Sequence, residues 1–222
     1  MVRDGDRGGR HAVAPVRLHV LTSQPAPGSR SNTANVTPSP VAAPSENPHG
    51  HILELVPPGE NGVRDPAAAV FAWDVLVLCG DPAKPEEGAR FHPDTSAAGW
   101  FTDPDNLSVD PQGRLWVSTD GPPPEGIADA LYVMDTEGPA RGLPKLFYIP
   151  PVGSECCSPA FTPDGASLFI AVQHPGELRL EDNEDAEAFD EQGATWPDFA
   201  DGMPARPSVV VLTRDGGGPI GA

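Results

Sequence analysis

The feature that most constrains this chain is a near-repeat of one strand pattern. Asp105-Asn-Leu-Ser-Val-Asp-Pro-Gln-Gly-Arg-Leu-Trp-Val-Ser-Thr-Asp-Gly121 returns as Ser158-Pro-Ala-Phe-Thr-Pro-Asp-Gly-Ala-Ser-Leu-Phe-Ile-Ala-Val-Gln173. Each copy has alternating residues, a Pro/Gly turn and an aromatic-containing strand, the form of the inner hairpin of a β-propeller blade. Gly113 and Gly165 stand 52 positions apart, close to the roughly 40 to 50 residues of a four-stranded blade.

Composition supports an all-β reading. With 29 Pro and 24 Gly in 222 residues, long helices are disfavoured and short strands joined by turns remain. A chain of this length can bury roughly 70% of its unfolded surface as one domain. The net charge of −18, from 32 acidic and 14 basic residues, excludes a phosphate-backbone binder, which needs clustered Lys and Arg. Cations are the charged partners such a surface suits, although the same acidic excess also serves solubility alone. Cys79, Cys156 and Cys157 cannot all pair within the chain, so no disulfide framework is expected. No apolar run reaches the roughly 18 residues of a membrane span, and the segment from Met1 to Arg17 is not followed by a secretory apolar region. No export signal is expected in the chain as written, and the compartment is left open.

Residues 1–46 read as a poorly ordered N-terminal segment with one strand at 16–22, because residues 23–46 are dense in Pro, Ser, Asn and Thr. Residues 47–222 read as propeller blades. Strands are expected at 51–56, 71–78, 114–118, 130–135, 145–149, 167–173 and 208–213, the first two as a hairpin across the turn-forming cluster at 57–62. An acidic loop spans 177–191. It lacks the sixth-position Gly and the ligand spacing of an EF-hand, so a solvated loop is expected rather than a dedicated calcium site.

Asp105 and Asn106 precede the innermost strand of the first copy, where carboxylate and amide oxygens suit a hard cation such as calcium. On a regular strand adjacent residues face opposite ways, so one of the pair is expected to point inward while the other braces the turn. Glu155 stands before the second copy and approaches the same axis if the copies are neighbouring blades. The thiols beside it could hold a softer metal, against the plainer expectation of buried apolar cysteines. His49 and His51 have period-2 spacing and would share one face of a strand, but without further ligands for zinc. His174 and Glu177 follow a strand end. No phosphate-binding Gly-Lys-Ser/Thr loop, nucleophile elbow, His-Glu-x-x-His or dinucleotide fingerprint is present. Arg90, Arg114, Arg141 and Arg206 each have the chemistry to grip a phosphate.

Eight phrases in order carry a family resemblance: Asn47-Pro-His-Gly-His-Ile-Leu-Glu54, Leu78-Cys-Gly-Asp81, Ala98-Gly-Trp-Phe101, Pro104-Asp-Asn-Leu107, Asp110-Pro-Gln-Gly-Arg-Leu-Trp-Val117, Phe161-Thr-Pro-Asp-Gly165, Val172-Gln-His-Pro-Gly-Glu177 and Arg206-Pro-Ser-Val-Val210. Together they resemble the C-terminal part of PhoX-type alkaline phosphatases. The resemblance implies a six-bladed propeller family fold, of which this chain would form an incomplete propeller of about three to four blades. It also implies hydrolysis of phosphate monoesters at a calcium and iron centre in the channel, with Asn106, Glu155 and Asp105 carried over as metal ligands. No catalytic residue is assigned. Relatives are longer, are exported, and carry upstream an Arg-Pro-Glu motif and an iron-binding Cys that have no counterpart here. The expectation is therefore a chain catalytically incomplete by itself. The alternatives are a non-catalytic propeller fragment or interaction module, self-associating through open sheet edges, and a calcium-dependent lactonase-like propeller, which shares the Asp-Asn-Leu and Asp-Pro-x-Gly-x-Leu-Trp-Val phrases.

Overall fold

The computed structural model describes residues 18–22, 49–60, 63–120, 129–176 and 195–221. The acidic loop at 177–191, Glu177 and most of the 1–46 segment lie outside the described residues.

The described chain is all-β, apart from one short 3-10 turn at Pro85–Glu87. Its strands are β1 (Leu18–Thr22), β2 (His51–Val56), β3 (Gly59–Glu60), β4 (Val63–Arg64), β5 (Ala72–Leu78), β6 (Pro104–Val109), β7 (Leu115–Thr119), β8 (Leu131–Met134), β9 (Lys145–Tyr148), β10 (Glu155–Phe161), β11 (Ser167–Gln173) and β12 (Ser208–Thr213). They form three antiparallel meanders, β1-β2-β5, β6-β7-β8-β9 and β10-β11-β12, with β3-β4 as a separate ribbon. The ribbon lies in the turn cluster where the sequence reading placed no strand. Gly59 is required there: a Cβ on it would stand 2.0 Å from the Val63 carbonyl oxygen.

The repeat is two successive inner hairpins, β6-β7 and β10-β11. Gly113 (φ 83°) and Gly165 (φ 69°) close their turns in the left-handed region, which other L-residues adopt at a cost. The first strands of the sheets stand side by side, β1 against β6 and β6 against β10. This is the arrangement of inner strands around a propeller axis, and the three sheets form a partial propeller.

Alternation along each strand sends side chains to both neighbouring sheets. Between the first and second sheets lie Ile52, Val77, Phe101, Leu115, Val117 and Tyr132. Between the second and third lie Trp116, Leu131, Cys156, Leu168 and Ile170, closed by Ile220. The middle sheet is covered on both faces, and all five residues of β7 are buried. Asp110 anchors this region. Its carboxylate accepts from the backbone N–H groups of Gln112 and Arg114 at 2.9 Å, from Arg114 Nε at 2.6 Å and from Trp116 Nε1 at 2.8 Å. The Arg114 guanidinium then donates to the carbonyls of Ile220 and Gly221. The Asp-Pro-Gln-Gly-Arg-Leu-Trp phrase thus orders a turn and ties residues 220 and 221 to the second sheet.

Candidate functional site

A β-bulge shapes the start of each inner strand. On β6, Pro104 pairs with Thr119 and Asn106 with Ser118, leaving Asp105 as the extra residue. On β10, Cys157 pairs with Ala171 and Ala160 with Phe169, again with one residue too many, and Ser158 takes φ 53°. At the 52-residue repeat offset Asn106 corresponds to Ser158, and the two equivalent positions touch: Asn106 Oδ1 accepts the Ser158 backbone N–H at 2.7 Å.

The bulge corrects the expectation that Asp105 and Asn106 face opposite ways. Asn106 Nδ2 donates to Asp105 Oδ2 at 2.6 Å, because an inserted residue breaks strict alternation and turns both side chains to one side. Asp105 in turn lies near enough to Glu155 on the next sheet for the Glu155 charge to oppose its ionisation. Glu155 is 6% exposed. Its Oε2 accepts from Gln173 Nε2 at 2.6 Å and stands 3.4 Å from His174 Nε2, while Oε1 accepts from the Cys157 thiol at 2.9 Å. Asp105, Asn106 and Glu155 therefore lie in one network where the inner strands of two sheets meet.

Burial holds the Asp105 carboxyl above its ordinary value, reinforced by the charges of Glu155 and Asp120. Ionisation of Asp105 beside Glu155 and Asp120 is opposed by their charges and calls for compensation. A proton or a bound cation meets that need equally, so the donor set fits a hard, oxygen-preferring cation. Among the described residues, no group of three or more His, Cys, Asp and Glu side chains stands in metal-holding geometry. The Asn106 oxygen is taken by Ser158 and its amide nitrogen faces Asp105, so a calcium ion here would need further oxygen ligands beyond Asp105 and Glu155.

The two neighbouring thiols divide. Cys156 enters the core between the second and third sheets, where burial, then Asp129 and Glu155, push its thiol up to about 12. Cys157 joins the site, its thiol raised further by burial and by Glu155. Without a bound cation, burial keeps both thiols protonated at neutral pH. Cys79 is buried between the first and second sheets, and all three cysteines are free.

His49 and His51 do not share a strand face. His49 lies in the turn before β2 with Nε2 3.1 Å from Glu87 Oε2, whereas His51 is buried within β2 and burial lowers its pKa. All four candidate arginines have structural partners. Arg90 donates to the Val75 carbonyl, Arg114 serves Asp110, Arg141 meets Glu54 at 3.1 Å and Arg206 meets Asp198. Gln173 escaped the sequence reading because its role depends on the β10-β11 register, which pairs it with Glu155.

An antiparallel propeller whose inner strands bring carboxylates together belongs to the class that places its chemistry beside the central axis. The comparisons with known proteins specify the class. The chain belongs to the PhoX family: the family model described as "Alkaline phosphatase PhoX" matches residues 21–176. Among solved structures it is similar to Pseudomonas fluorescens PhoX in complex with vanadate, a transition state analogue, at 25% identity and a TM-score of 0.67. That match covers 93% of this chain and 33% of the other, so the chain spans about a third of that protein's length. No curated protein matches the chain.

Proposed function

We propose that this chain supplies the Asp105–Asn106–Glu155 side of a cation-dependent phosphomonoesterase site, and that hydrolysis requires ligands beyond those it carries itself. The observation that carries this reading is the meeting of two inner strands, where Asn106 bonds both Asp105 and the Ser158 backbone beside the buried Glu155, inside the family match. Calcium, with iron, would supply the positive charge that neutralises phosphoryl oxygens in metal-assisted hydrolysis. The chain's own residues prepare the place for it. Asp105 and Glu155 present carboxylate oxygens, and Gln173 and the Cys157 thiol hold Glu155 in one orientation by donating to its two oxygens. Asn106 fixes the distance between the sheets by accepting from Ser158 while it orients Asp105.

The four candidate arginines have structural partners, and none of them stands out as a phosphate ligand. The non-catalytic reading is therefore kept as the second one. The test is release of phosphate from a simple aryl phosphate ester by the purified chain with calcium and iron. No turnover above buffer, with calcium binding that Glu155→Gln weakens, supports this reading, and no turnover with calcium binding indifferent to Glu155→Gln supports the non-catalytic one. Calcium-dependent turnover abolished by Glu155→Gln would show that the chain's own ligands suffice and would contradict the need for others. Hydrolysis of a lactone in place of the phosphate ester would contradict the substrate class.

A further inference from the structure

His174 directly follows β11, at the end of the third sheet where Glu155 begins β10. Alternation along a strand sends successive side chains to opposite faces. Gln173 and His174 nevertheless both reach Oε2 of Glu155, at 2.6 and 3.4 Å. The backbone is the reason. His174 takes φ 34°, in the left-handed region, although it stands before Pro175, where a chain favours extended conformations. Its neighbours hold it there. The Gly176 N–H donates to the Val152 carbonyl at 2.9 Å, and the turn carrying Val152 is closed by the Ser154 N–H on the Pro151 carbonyl at 3.0 Å. A strained residue that its surroundings keep in place is a pointer to function.

The imidazole ring is fixed as well. Its Nδ1 stands 3.2 Å from the Gly153 carbonyl oxygen. A carbonyl oxygen only accepts, so the proton of the neutral ring sits on Nδ1 and the Nε2 lone pair is left toward Glu155 Oε2. Two acceptors facing each other share no hydrogen bond, and a cation between them satisfies both. Two donors each about 2.1 Å from one metal ion stand about 3.0 to 3.4 Å apart at octahedral to tetrahedral angles. A backbone carbonyl on the far ring nitrogen is also the habitual support of a metal-binding imidazole.

We propose that His174 Nε2 and Glu155 Oε2 together seat a divalent transition-metal ion of borderline softness. Glu155 then serves an oxygen-preferring cation with Asp105 and a nitrogen-accepting one with His174. This rests on the reading of Glu155 as a cation ligand. Calcium takes oxygen ligands, whereas imidazole suits zinc, iron and their neighbours in the first transition row, so His174 sets which class of metal enters. The seat is an open one, because no three-residue cluster of metal-holding side chains stands among the described residues. Its other coordination positions fall to water and to groups beyond this pair.

Cobalt(II) is the probe. Calorimetric titration of cobalt(II) into the full chain should show a saturable site, weakened about tenfold or more by His174→Asn. Calcium affinity of that variant should stay within about twofold of wild type. Asn tolerates a left-handed backbone better than most residues, and an unchanged far-ultraviolet spectrum checks the fold. The cobalt-loaded chain should also give a hyperfine-shifted, exchangeable imidazole N–H proton resonance that is lost in His174→Asn. Glu155→Gln should weaken both metals. Calcium binding indifferent to Glu155→Gln sinks the cation-site reading and this proposal with it. Calcium that depends on Glu155, together with cobalt that ignores His174→Asn, overturns this proposal alone. Equal losses of calcium and cobalt affinity in His174→Asn overturn it too, since His174 would then only hold Glu155 in place. A wild-type chain without a saturable cobalt site does the same, leaving His174 and Glu155 as a plain ion pair.

Discussion

Asp105 sits where burial and two neighbouring negative charges oppose its ionisation, and this has a definite sign for stability. The folded carboxyl keeps a proton that the unfolded chain has already released. Its contribution to stability is therefore lost as pH rises from the ordinary Asp range through the raised value, and stays lost above it. In calcium-free buffer Asp105→Asn should raise the melting temperature near neutral pH. The gain should shrink to nothing once the pH falls below the ordinary Asp range. Thermal melts of both proteins across pH check this, and a constant offset at every pH would show that charge is not the cause. Asp105, Asn106 and Glu155 were legible as candidates because acids and amides before repeated inner strands stand out in the sequence. Their joint orientation was not, because a single inserted residue leaves the alternation of a strand looking continuous. Gln173 and Cys157 reach Glu155 only through cross-strand register and β10 geometry, which no local pattern reports.

At the scale of elements, the two inner hairpins were readable because their turns carry their own chemistry. Gly113 and Gly165 take positive φ, and Asp110 satisfies the backbone of its turn with its side chain. Asp110 also binds Arg114 and Trp116 while its side chain is fully buried. Asp110→Ala should therefore cost about 3 to 5 kcal/mol, the range for breaking a buried charged pair and stranding its partner. Urea unfolding measures this, and a loss under about 1 kcal/mol would show that the network is dispensable. The β3-β4 ribbon was missed for the opposite reason. Its strands are two residues long, the first inside a Pro/Gly cluster that reads as turn and the second directly after it.

At the scale of the whole molecule, the partial propeller was legible from the spacing of the repeat, and the family from eight short phrases spread along the chain. What the phrases did not reveal is how the candidate arginines are spent. Each pairs with a carboxylate or a carbonyl inside the fold. The strongly acidic surface makes weak, unspecific cation binding inevitable, so a useful experiment must separate one site from the background. Calorimetric titration of calcium into the full chain and its Glu155→Gln variant does this most directly. The account predicts a saturable site in the wild-type chain, weakened at least tenfold in the variant, above a weak background common to both. Identical titrations of the two proteins would contradict the assignment of the Asp105–Glu155 cluster as the cation site.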